Sequence, residues 1–186
     1  STNIPDLGPN GVENIYTADL DLDTGDILDR NKISMIGSTH GNSHSIVPTL
    51  SRSGDFVAFA SEATNLVAGD TNGDRDVFLK KVSLSPEVLR RSSVKSDGSQ
   101  VDGSSVESTS PDVTDDGVAV VFESTQSQLV ANDTNGYRDV FRRYDPFLND
   151  FMRADANQDG QADISDAQYR LAALFQGGFL RFALGL

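Results

Sequence analysis

The sequence predicts a mostly β protein: about nine short antiparallel strands in tandem repeats, followed by a small C-terminal calcium-binding loop and helix. Three observations predict it. A stretch of the chain recurs at a fixed offset of 63 residues. Each copy alternates short apolar runs with Gly, Asn, Asp and Ser clusters, the pattern of strands and turns. After Asp145 the character changes to one acidic, glycine-centred loop followed by an amphipathic stretch.

The repeat spans most of the first 145 residues. Pro48, Gly54, Val57 and Phe59 recur as Pro111, Gly117, Val120 and Phe122. The stretch from Leu66 through Asp70, Asn72, Gly73, Arg75 and Asp76 to Phe78 recurs from Leu129 through Asp133, Asn135, Gly136, Arg138 and Asp139 to Phe141. About half of the aligned positions are identical and no gap is needed. A weaker third echo opens the chain, Asn10 to Tyr16, lying 62 residues before its counterpart at Asn72.

Within the full copy, Leu50 to Ser53 reads as a short strand that ends in a turn at Ser53 and Gly54. Phe56 to Ala60 is apolar and partly β-branched, as a buried strand requires. Asn72-Gly73 is a turn signal, because both residues accept positive φ. Asp76 to Val82 follows as a third strand, and Glu87 to Val94 as a fourth after the break at Pro86. Lys95 to Ser110, rich in Ser, Gly and Asp, reads as a long polar loop.

A four-stranded unit repeated in tandem suggests a propeller blade. The Pro-x-x-Ser-x-x-Gly-x-x-x-Ala-Phe pattern of Pro48, Ser51, Gly54, Ala58 and Phe59 resembles the blades of TolB-like or PD40-type relatives of WD40 propellers. In the second copy Pro111, Gly117 and Phe122 match, with Thr114 and Val121 replacing the Ser and Ala. The resemblance covers residues 10 to 145 and implies a β-propeller-like domain over residues 1–145. A closed ring needs about four blades or more. The chain supplies the last two strands of one blade, one full blade and three strands of another. A fragment, a ring completed by association, and an open stack or sandwich all agree with that inventory. Unpaired strand edges at either end favour a protein partner or self-association.

Residues 146–186 form the second expected domain. The twelve residues from Asp155 to Asp166 follow the EF-hand loop pattern in all but the last position. Calcium is a hard cation that takes about six to eight oxygen ligands. Asp155, Asn157 and Asp159 occupy the first, third and fifth places, where side-chain oxygens bind. Gly160 allows the sharp turn at the sixth place. Gln161 offers its backbone carbonyl at the seventh, Asp163 stands at the ninth, and Asp166 replaces the usual final Glu. Four carboxylates in one loop repel each other without a cation between them. Ser165 and Gln168 form a capping box, and Asp166 to Gln176 reads as a helix with Ala167, Leu171, Leu174 and Phe175 on one side. Gly177-Gly178 ends it.

This unit, residues 151 to 178, resembles a dockerin module, whose loops also carry Asp at the last position. The resemblance implies an exported bacterial protein and Ca2+ as the bound ion. Dockerins normally pair two such units, and one is visible, which puts cohesin binding in doubt. Such units often accompany polysaccharide-acting hydrolases, so a non-catalytic portion of an exported hydrolase is the alternative reading.

Weaker signals lie earlier. Asp70, Asn72, Asp74 and Asp76 have calcium-like spacing, but Tyr137 replaces Asp74 in the second copy, which favours a turn between strands. Asp19, Asp21 and Asp23 read as the acidic face of a strand running into a turn at Gly25. His40 and His44, the only two histidines, fall in a Ser-Thr-His-Gly-Asn-Ser-His stretch that reads as a solvated loop.

Composition narrows the function classes. The formal net charge is −13, which argues against nucleic acid and anionic membrane surfaces as partners. The absence of cysteine excludes disulfides, thiolate metal sites and cysteine nucleophiles. No apolar run approaches the roughly 20 residues of a membrane-spanning helix, so no membrane insertion is expected. The polar start at Ser1 points to a mature product or a fragment. No Gly-x-Ser-x-Gly elbow, P-loop or dinucleotide fingerprint occurs, so a non-catalytic, calcium-binding, secreted or cell-surface protein is the expectation.

Overall fold

In the computed structural model, residues 11–82, 88–101 and 107–144 are described. The expected calcium loop, Asp155 to Asp166, and the helix after it lie outside the described residues.

Eleven strands make up four antiparallel sheets among the described residues. Strands β1 (Tyr16–Leu20) and β2 (Ile27–Lys32) form a hairpin. Strands β3 (Met35–Ile36) and β4 (Thr39–His40) form a two-residue ladder. Strands β5 (Ser45–Leu50), β6 (Phe56–Ser61), β7 (Asp76–Lys81) and β8 (Leu89–Arg91) form a four-stranded sheet in chain order. Strands β9 (Ser108–Val113), β10 (Ala119–Ser124) and β11 (Asp139–Tyr144) form a three-stranded sheet, also in chain order.

The mostly β reading holds, and its details shift in three places. The first strand of the full repeat is Ser45–Leu50 rather than 50–53, because Ser51 to Gly54 is spent on the turn. There the Ser51 N–H donates to the Phe56 carbonyl at 2.8 Å, and Gly54 sits at φ 80°. The histidine loop contains the β3–β4 ladder. The polar stretch after Lys95 ends early, at Ser108, where β9 begins.

The two full repeats share local chemistry position by position. Strand β6 meets β7 with Phe59 opposite Phe78, rings stacked at 5.6 Å. Strand β10 meets β11 with Phe122 opposite Phe141, rings stacked at 5.9 Å. The Ser45–Ser61 hydroxyl pair at 2.9 Å returns as Ser108–Ser124 at 3.1 Å. Both first strands carry a bulge with a non-glycine residue at positive φ, Val47 at 50° and Ser110 at 51°.

The N-terminal echo is also structural. The Ile15 N–H donates to Ser34 Oγ at 3.0 Å, as the Val77 N–H donates to Ser93 Oγ at 3.0 Å. The Ile15 carbonyl accepts from the Ile33 N–H, as the Val77 carbonyl accepts from the Ser92 N–H. The β1–β2 hairpin therefore corresponds to β7–β8.

The three successive units also meet in a recurring way. The Ser45 N–H donates to the Glu13 carbonyl, and the Ser108 N–H donates to the Arg75 carbonyl, each at 2.9 Å. Each first strand thus starts against the entry to the preceding unit's third strand. One face of the four-stranded sheet, with Val57, Phe59, Phe78 and Leu89, packs with Ile15 and Ile33 into the main core. Its other face carries Phe56, Ala58, Ala60, Val77 and Leu79, all buried. Phe56 on that face lies over Gly117 of the next unit.

Candidate functional site

The acidic loop between β6 and β7 is the first place to seek a site. Asp70 and Asp76 are both buried, and both lie against one guanidinium, that of Arg91 on β8. Arg91 Nη1 is 3.1 Å from Asp70 Oδ1 and 3.1 Å from Asp76 Oδ2, with its side chain also buried. Ser93 Oγ donates to Asp76 Oδ1 at 2.5 Å, and Arg91 Nη1 donates to Gln100 Oε1 at 3.1 Å. Gln100 Oε1 in turn accepts from the Thr71 N–H at 3.0 Å, and Asn72 Nδ2 donates to the Val101 carbonyl.

Burial raises both carboxyls. Asp70 is pushed up to about 6 because burial outweighs the attraction of Arg91, with the nearby Asp76 and Asp74 adding repulsion. Asp76 is raised for the same first reason, partly offset by Ser93 and Arg91. The loop works as a clasp that ties the β6–β7 connection to β8 and to the segment after it. Among the described residues no group of three or more His, Asp or Glu side chains could hold a metal ion. Two of the carboxylates with calcium-like spacing face an arginine, consistent with the expected turn.

The other weak signals resolve into local roles. Asp21 Oδ1 accepts from the N–H groups of Asp23 and Thr24, at 2.8 and 2.9 Å. These bonds hold its carboxyl below the usual range and close the β1–β2 turn. His40 Nδ1 meets Lys32 Nζ, and His44 Nδ1 accepts from the Glu13 N–H at 3.2 Å. The structure does not bring the two histidines into one described site.

The feature that sequence reasoning missed is a groove of about 610 Å³ between β1 and the first turn of the four-stranded sheet. Tyr16, Thr17, Thr49, Leu50, Gly54 and Val57 are among its walls. Thr17 Oγ1 is buried there without a hydrogen-bond partner. The repeat offset could have located it, since a unit with only its last two strands must leave room where the first two would lie.

No family model, no curated protein and no solved structure matches the chain. The functional reading therefore stands on the residues and their arrangement.

Proposed function

We propose that this is a calcium-binding, non-catalytic scaffold or protein–protein interaction protein of the cell exterior. Its β-repeats are read as part of a propeller. The β1–β2 hairpin stands for the last two strands of one blade, β5–β8 for a full blade and β9–β11 for three strands of the next. The observation that carries the reading is the recurring contact between successive units, which ends at an incomplete sheet on either side. Incomplete sheets are surfaces that take a neighbour.

The calcium part rests on the donor set of Asp155, Asn157, Asp159, Gln161, Asp163 and Asp166. Carboxylate, amide and carbonyl oxygens are the ligands that a hard divalent cation selects, and the set fits Ca2+ rather than a thiophilic metal. Bound calcium would neutralise the loop's acidic residues and order the helix that follows.

Calorimetric titration with calcium tests this, alongside circular dichroism in calcium and in chelator. One site is expected, with a gain of helix signal and an unchanged β signal. Asp155→Ala together with Asp159→Ala should abolish the heat of binding. No binding at millimolar calcium would overturn the calcium reading.

A further inference from the structure

We infer that the groove beside Gly54 is a docking site for an extended segment of a partner chain. That segment adds to the edge of β1 and lays an aromatic side chain over Gly54. The inference deepens the interaction reading by naming the surface and its occupant, and it does not depend on calcium.

The molecule contains the occupied version of the same place. At Gly117, φ 70°, a Cβ would collide with the ring of Phe56. The preceding unit thus packs its second strand there, aromatic first. At Gly54, 63 residues earlier, φ is 80° and a Cβ would meet nothing within 4 Å. The two glycines terminate the same turn: Gly54 N–H donates to Ser51 O and Gly117 N–H to Thr114 O, each at 2.9 Å. What differs is the neighbour. Phe56 belongs to β6, which pairs with β7. The counterpart of β7 in the first unit is β1, which pairs only with β2 among the described residues.

The chemistry of the occupant follows from β6. Residues Phe56, Ala58 and Ala60 present one face of that strand, opposite Lys81, Leu79 and Val77. A guest strand in the same relation to β1 carries an aromatic residue, then small residues at the two following alternate positions. Its middle small residue falls opposite Thr17, the counterpart of Leu79, whose buried hydroxyl lacks a partner. A serine there would satisfy it. Main-chain pairing supplies affinity and the alternate side chains supply selectivity, as in strand addition generally.

The test uses the whole chain and a fluorescently labelled synthetic peptide that copies residues 54–62. Fluorescence anisotropy is expected to show saturable binding to one site. Phe56→Ala in the peptide should weaken it by about tenfold or more, the scale of losing one buried ring. Leu50→Arg in the protein, at an exposed groove wall, should weaken it similarly while leaving the folded circular dichroism spectrum intact. Hydrogen exchange should slow in β1 when the peptide is added. Absence of binding at millimolar peptide, or binding indifferent to both substitutions, overturns the inference. A dimer by light scattering that Leu50→Arg dissociates would also overturn it, assigning the groove to a second copy. Calcium binding that persists while the peptide fails would sink the groove and leave the calcium reading standing. Peptide binding in a chain that takes no calcium would do the reverse.

Discussion

Arg91 is the single cation between two buried carboxylates, so its removal exposes the cost of burying them. Arg91→Met is expected to destabilise the fold by about 3–5 kcal/mol at pH 7, the scale of breaking a buried ion pair from one side. Urea denaturation followed by circular dichroism measures it. The loss should shrink at pH 4.5, where the stranded carboxyls can take up protons. In the intact protein the sign follows from Asp70, raised from 3.8 to about 6. The folded chain holds that proton more tightly than the unfolded chain does. Stability contributed by this group therefore falls as pH rises from about 4 through about 6, and is level above that. Asp70→Asn should flatten that fall by roughly 1–3 kcal/mol. Comparing urea midpoints of the two proteins across this window cancels the other carboxylates. No difference in slope would show that Asp70 titrates normally.

Turn glycines at equivalent places in two sheets offer a controlled comparison of backbone and packing effects. Gly54→Ala carries only the left-handed backbone penalty of about 1–2 kcal/mol, since its surroundings are open. Gly117→Ala carries the same penalty plus overlap with the Phe56 ring, adding about 1–3 kcal/mol. Thermal unfolding of the two variants should rank them in that order, and equal losses would mean that Phe56 yields without cost. The same pair shows what could be read from sequence and what could not. The turns and the central strands β6, β7, β10 and β11 were readable because apolar runs flank glycine at a fixed spacing. The first strands were misplaced or missed because Ser45–Leu50 and Ser108–Val113 mix small polar residues with proline, and their bulges break period-two alternation. Their pairing is set by the neighbouring sheet rather than by local pattern. The Asp70–Arg91–Asp76 clasp was half visible, since the loop spacing is in the sequence but the partner comes from a different strand.

Across the whole molecule, repetition of the same residues at different depths measures where the stack ends. Val77 is 0% exposed and Val140, its counterpart 63 residues later, is 70% exposed. Both lie at the second position of the strand Asp-Val-Phe, and the difference is the sheet that covers the first but not the second. Val140, Val121 and Tyr144 line one face of the β9–β11 sheet, with Arg142 stacked on the Tyr144 ring at 4.6 Å. An aspartate at Val77 would bury an unpaired charge between two sheets, and Val77→Asp should prevent stable folding or cost at least several kcal/mol. At Val140 the same change meets water, and Val140→Asp should shift stability by no more than about 0.5 kcal/mol. Chemical denaturation of the two variants reads the contrast directly. A large loss at Val140 in the isolated chain would mean that a neighbour already covers this face, and light scattering of the same sample would tell whether that neighbour is a second copy.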